Sequence, residues 1–203
     1  KCGYDNQASF NKAFRKQFSL NPGDIRRQMI SIKNESYFSE EWINNMKPEI
    51  VDLIDIAVIS VRSCGNYEKA ACDAWSQLMS FAYANKLMNK NVRMFGISYD
   101  NPNMTEPNLV RYDACLDIST DINLSNNIRK QVITGGKYAK FIHTGSYDNF
   151  KDTYAYIFSE WLPSSNYKLR DVPCFDIYLN RDPRRTKKEN LKTEIYIPIE
   201  YNA

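Results

Sequence analysis

Two acid–tyrosine pairs stand at strand spacing near the end of this 203-residue chain: Asp176 with Tyr178, and Glu194 with Tyr196. A strand turns successive side chains to opposite faces. Phe175, Ile177 and Leu179 therefore share one face, as do Ile195, Ile197 and Ile199, and these apolar sets are expected to pack against helices. Asp176, Tyr178, Glu194 and Tyr196 are then expected together on the opposite face, lining one pocket. Carboxylates among aromatic rings suit an organic cation. Ring faces attract positive charge, and a partly desolvated carboxylate gains from a cationic partner. Asp113 is expected to add an acid to this surface and Trp161 a ring, although Trp161 also fits core packing on a helix stripe.

Other chemistries find little support. His143 is the only histidine, and no nucleophile, base and orienting group gather around it in sequence, so it reads as structural and no catalytic residue is assigned. One histidine and five scattered cysteines (Cys2, Cys64, Cys72, Cys115, Cys174) without a C-x-x-C pair make no metal site. The same scatter fits free thiols in a reducing cytosol, hence a cytoplasmic protein. No apolar run is long enough to span a membrane. No cofactor is expected. A net charge of +3 is too mild for nucleic-acid binding by the whole surface.

Residues 49–203 hold a weak internal repeat that positions these side chains. Ala57–Arg62, then Cys64-Gly65-Asn66-Tyr67 and a helical run from Tyr67 to about Leu87, match Tyr138–His143, then Thr144-Gly145-Ser146-Tyr147 and a helical run from Asp148 to about Leu162. Each helix carries an apolar stripe at the 3.6 period, the second through Phe150, Tyr154, Ile157, Phe158 and Trp161. Two strands follow each: Val92–Tyr99 and Val110–Leu116, then Cys174–Leu179 and Thr193–Ile199. The expected fold class is α+β, a duplicated β-α-β-β domain with a cleft on a pseudo-twofold axis.

The N-terminal residues read differently. Phe10, Phe14 and Phe18 recur every fourth position, and Asn21-Pro22 opens a second short helix. Gly3-Tyr4, Ser9-Phe10, Phe14, Arg15-Lys16, Phe18 and Pro22 resemble the second helix-turn-helix of AraC/XylS transcription regulators. The resemblance implies that Asn6, Gln7 and Asn11 meet base edges and that Lys12, Arg15 and Lys16 meet phosphates. It places the tail of a DNA-binding domain at residues 1–28, a linker at 29–47 and an effector domain at 48–203, in a fragment of a longer protein.

The effector part resembles the GyrI-like (SHS2-type) domains of Rob- and BmrR-type regulators. The carrying motifs are His143-Thr144-Gly145-Ser146-Tyr147, Glu160-Trp161-Leu162-Pro163, Phe175-Asp176-x-Tyr178-x-Asn180 with Asp182-Pro183, and Thr193-Glu194-Ile195-Tyr196-Ile197-Pro198. The family's central carboxylate is usually Glu; here Asp176 is one methylene shorter. The resemblance implies a ligand sensor rather than an enzyme: a bulky cationic or aromatic effector binds the cleft and alters DNA binding, with room for a homodimer. The alternative it implies is a hydrolase that opens reactive small molecules in the same cleft.

Overall fold

The computed structural model describes residues 38–101, 104–118, 124 and 127–202. The expected helix-turn-helix tail, with Asn6, Gln7, Asn11, Lys12, Arg15 and Lys16, lies outside them. Residues from Met46 onward form one compact unit. Of the unit before it, a short helix α1 (Glu40–Asn45) is described, with Phe38 stacked on Trp42 at 4.5 Å between ring centroids. This helix falls in the stretch read as a linker.

The main unit runs β1 (Glu49–Leu53), β2 (Ile56–Cys64), α2 (Tyr67–Ala84), β3 (Met94–Ser98), β4 (Arg111–Leu116), β5 (Arg129–Ile133), β6 (Gly136–Thr144), α3 (Phe150–Tyr156), β7 (Tyr167–Leu169), β8 (Cys174–Tyr178) and β9 (Lys192–Tyr201). Every pairing is antiparallel, in the order β1-β6-β9-β8-β3-β4-β2-β5, with β7 on the far end of β9. Only Ile54 and Asp55 join β1 to β2, yet the two strands lie far apart in that order. The sheet must therefore curl until its ends approach, and the architecture is a curled antiparallel sheet with a few helices, an α+β fold.

All six strands and both helices read from the repeat are present. The three that sequence reading missed, β1, β5 and β7, are edge strands or short ones. Arg129-Lys130-Gln131 in β5 shows why: a strand with a free edge tolerates charges, and charge hides the strand signal. Among the described residues no helix is long and apolar enough to cross a membrane.

The same local device starts each helix. Gly65 and Gly145 adopt φ of 138° and 125°, a region open to glycine, and their N–H groups bond Val110 and Leu191 carbonyls at 2.9 Å. Asn66 then accepts the N–H of Glu68 as the N-cap of α2, and Ser146 accepts that of Asp148 as the cap of a single 3-10 turn (Tyr147–Asn149) that leads into α3. α2 buries Ala70, Ala74, Leu78 and Ala82, and the three alanines let it lie close on β2 and β4. α3 differs from its expected stripe. It widens into a π turn over Ile157–Trp161 before ending at Ser164. That turn takes up Pro163, which has no N–H and crowds the carbonyl four residues back. Phe158 is 40% exposed, still stacked on Tyr154, and Tyr156 is buried instead.

Both faces of the curled sheet are buried. The helix face holds Ile59, Val61, Tyr112, Ala114 and Leu116 under α2. The inner face holds Phe95, Ile97, Tyr138, Phe175, Ile177 and Tyr196.

Candidate functional site

The double-sided core overturns the expected arrangement of the acids. Across the β8–β9 ladder, Asp176 lies opposite Ile195 and Phe175 opposite Tyr196. Opposed residues share a face. Asp176 and Tyr178 therefore look toward the helices, together with Ile195, while Glu194 and Tyr196 look to the inner face with Phe175 and Ile177. The four do not line one pocket. The alternation itself holds, but apolarity does not tell which of two buried faces the helices cover.

On the helix face the sheet brings Asp176 into a wall of rings. Asp176 is 2% exposed, and its Oδ1 accepts a hydrogen bond from the Tyr154 hydroxyl of α3 at 2.8 Å. Among the described residues no Lys or Arg pairs with it. Burial pushes its carboxyl up to about 7, against a weaker opposing effect of Tyr154. Beside it the hydroxyls of Tyr112 and Tyr178 share a hydrogen bond at 2.9 Å, and the indole N–H of Trp75 donates to Tyr112 at 3.0 Å. Trp75 and Tyr147 meet the Tyr178 ring edge-on at 5.7 and 5.5 Å, and Tyr67 meets Tyr112 at 6.4 Å. Thr193, opposite Tyr178, holds a buried hydroxyl with no hydrogen-bond partner among the described residues.

Gly96 makes this gathering fit. It pairs with Asp176 across the β3–β8 seam. A Cβ there would sit 2.7 Å from the Tyr178 hydroxyl and closer still to that of Tyr112. Gly96→Ala is expected to cost about 1–3 kcal/mol through overpacking. Adding Tyr112→Phe and Tyr178→Phe should recover part of that loss in urea unfolding; simple additivity of the three changes would refute the close approach.

The other expected site residues lie elsewhere. Asp113 is fully buried on the inner face. It takes both Nε and Nη2 of Arg62 (2.7 and 2.9 Å), Nη2 of Arg129 (2.7 Å), the Tyr99 hydroxyl (2.8 Å) and the Gln131 amide (3.2 Å). Burial opposes its ionisation, but Arg62, Tyr99 and Arg129 outweigh it and hold the carboxyl below its ordinary range. Every oxygen is occupied, so Asp113 ties β2, β4 and β5 together. Glu194 accepts from the Tyr196 hydroxyl at 2.8 Å, and Tyr196 stacks on Phe175 at 4.6 Å. Trp161 meets Phe141 edge-on at 5.0 Å and stacks on Tyr167 at 6.3 Å, the core-packing role.

His143 is bracketed by Thr153 Oγ1 at 2.8 Å and the Ser146 carbonyl at 3.1 Å. A carbonyl only accepts, so Nε2 carries the proton and Nδ1 receives the Thr153 hydroxyl. Burial lowers its pKa, and it joins the end of β6 to α3 as a neutral ring. Cys64, Cys72, Cys115 and Cys174 are free thiols, and no metal-binding group forms among the described residues. An open hollow of about 750 Å³ near Ile54, Lys86 and Asp117 lies apart from the ring wall.

Sequence reading missed Tyr154 as the partner of the acid, and Tyr112 and Trp75 in the hydrogen-bonded wall beside it. The signal was present: a tyrosine on a buried stripe needs a partner for its hydroxyl, where leucine would need none.

The curled sheet thus sinks one carboxyl, hydrogen-bonded to Tyr154, into a wall of tyrosines. Residues 46–200 match the GyrI-like small molecule binding domain, and the chain belongs to that family. It is 30% identical over 135 residues to the probable transcriptional regulator YgiV of Escherichia coli (strain K12), covering 66% of this chain and 81% of that protein. It is 28% identical over 158 residues to a DNA gyrase inhibitor of Erwinia billingiae, covering 76% and 97%. The crystal structure of the EcmrR C-terminal domain shares the fold, with a TM-score of 0.62 at 17% identity over 77% of this chain and 99% of that one.

Proposed function

We propose that the chain is the effector-sensing part of a bacterial transcription regulator. A bulky cationic or aromatic small molecule binds the ring-walled Asp176 site, and its binding alters how an attached AraC-type DNA-binding domain engages a promoter. In this reading residues 1–28 are the tail of that domain, 29–47 a linker and 48–203 the effector domain. The matched glycine turns and caps of the two β-α-β-β runs support a duplicated domain. The carrying observation is Asp176, a buried carboxyl with a tyrosine partner and, among the described residues, no cation. An arriving cation would supply the missing charge, and the rings must part to admit it.

Because burial places this carboxyl near 7, cation binding should follow its ionisation. Affinity should fall as the pH drops below about 7, approaching tenfold per unit. Calorimetry with N-benzylquinolinium and its neutral isostere benzylnaphthalene tests this. Asp176→Asn should weaken the cation by about 1–3 kcal/mol, the range for a charged hydrogen bond, and spare the neutral compound. Glu194→Gln, on the inner face, should change neither. Equal loss of both compounds in Asp176→Asn would sink the electrostatic reading.

A second reading draws on the same carboxyl. A group titrating near 7 suits a general acid, which fits a hydrolase of reactive small molecules. Turnover of an epoxide probe that Asp176→Asn abolishes would replace the sensor reading.

A further inference from the structure

We propose that the loop between β8 and β9 is a contact surface for the phosphate backbone of duplex DNA. From Arg181 to Lys192 the chain carries six basic residues (Arg181, Arg184, Arg185, Lys187, Lys188, Lys192) and two acidic ones, a net +4. The whole chain carries +3, so all other residues together carry −1. Residues 1–28 carry a like excess of +4 (six basic, two acidic residues), so the rest of the chain carries −5 and the positive charge is gathered in these two segments.

The loop is also built. The Asp182 carboxylate accepts the N–H of Arg184 at 3.1 Å, and its backbone carbonyl accepts the Thr186 hydroxyl at 3.0 Å. Asn180 bonds the N–H of Lys192 at 2.6 Å and the carbonyl of Asn190 at 3.3 Å, closing the base of the loop. Leu191 is buried and pins it to the domain. Arg184 and Arg185 share the one acid Asp182, with side chains 87% and 89% exposed, and Lys188 pairs with Asp148 across solvent. Such pairs are weak and leave the positive excess facing outward.

The loop's chemistry selects among polyanions. Beyond Leu191, which is buried, it offers Pro183 and no aromatic residue. Protein interfaces are anchored by Trp, Tyr and Arg side chains seated in desolvated pockets, and here the arginines have no ring beside them in the loop; surface binding to membranes needs an inserted apolar face or lipid as well as charge. Charge alone is enough for the DNA backbone, where released counterions drive binding. Adjacent arginines add the bidentate fit to phosphate.

The inference rests on the regulator reading for its choice of DNA, and one experiment separates the two. Binding of the full chain to a short labelled duplex of arbitrary sequence is followed by fluorescence anisotropy between about 50 and 200 mM salt. The triple variant Arg184→Ala/Arg185→Ala/Lys187→Ala should bind at least tenfold more weakly at the low end. Its slope of log affinity against log salt should fall by about 2 to 3, since each neutralised phosphate contributes about 0.9. A triple of equal charge change on exposed sites, Lys69→Ala/Lys90→Ala/Lys151→Ala, should keep the wild-type slope. An unchanged loop variant, or equal loss in both triples, overturns the proposal. So does tighter binding to polyglutamate or phosphatidylserine vesicles than to the duplex. Both triples should bind N-benzylquinolinium as the wild type does. A failed loop result with cation binding intact removes only the loop proposal; the converse removes only the sensor reading.

Discussion

Asp176→Asn is expected to make the protein more stable at pH 8 and to leave it nearly unchanged at pH 4. The folded carboxyl titrates at about 7 and the unfolded one at 3.8. Between these values the folded state holds a proton that the unfolded state has released. The stability contributed by Asp176 is therefore complete below about 3.8 and is lost as the pH rises to about 7. The gap between those two values corresponds to roughly 4 kcal/mol as an upper figure. Asparagine keeps the shape and cannot ionise, so the variant gains whatever the buried charge costs. Urea unfolding of both proteins at each pH reads the difference directly, and His143 titrates alike in both and cancels. A difference that stays flat from pH 4 to 8 would show that Asp176 is not held in a desolvated setting. If the acid is kept ready for a cation, as proposed, a loss of stability on the way up to neutral pH is what it should cause.

Asp113→Asn should behave in the opposite sense. Two guanidiniums, a tyrosine and an amide converge on this one carboxylate. Removing its charge leaves Arg62 and Arg129 facing each other without a counterion. Breaking a buried pair costs about 3–5 kcal/mol. The low end applies here, because the arginine side chains are 30% and 43% exposed and water can partly solvate them. The pH profile inverts too. A carboxyl held below its ordinary range stabilises in full above that range and loses its contribution as the pH falls through it. A cost below about 1 kcal/mol at pH 7, or a cost that persists undiminished at pH 3, would contradict the role of a charged clasp.

Much of the fold is legible because local signals agree with it. A β-branched strand, a glycine in positive φ, a capping Asn or Ser and a helix recur twice, and each feature has its own physical cause. The edge strands are not legible because β1 and β5 owe their conformation to partners far away in sequence rather than to their composition. The acids stand out in the sequence, but their faces do not. Alternation in Phe175–Leu179 separates two sets of side chains; it does not say which set meets a helix when both faces are buried. Asp113 resembles a further pocket acid because the arginines that claim it come from β2 and β5, and a one-dimensional reading does not join them. Tyr154, in contrast, is within reach as a hydroxyl on a buried stripe.

The strand order has a consequence for how this molecule comes into being. Among the described residues β1 bonds only to β6, and β3 bonds to β8 on the side away from β4. β1 and the first β-α-β-β run therefore leave the ribosome with β1 unpaired and the seam strand β3 bare on one side, until the second run supplies both neighbours. Contacts so distant along the chain are slow to form, because loop closure must be met before pairing rewards it. Nascent chains stopped after β4 should remain protease-sensitive, and chaperone dependence should end only when β9 has emerged.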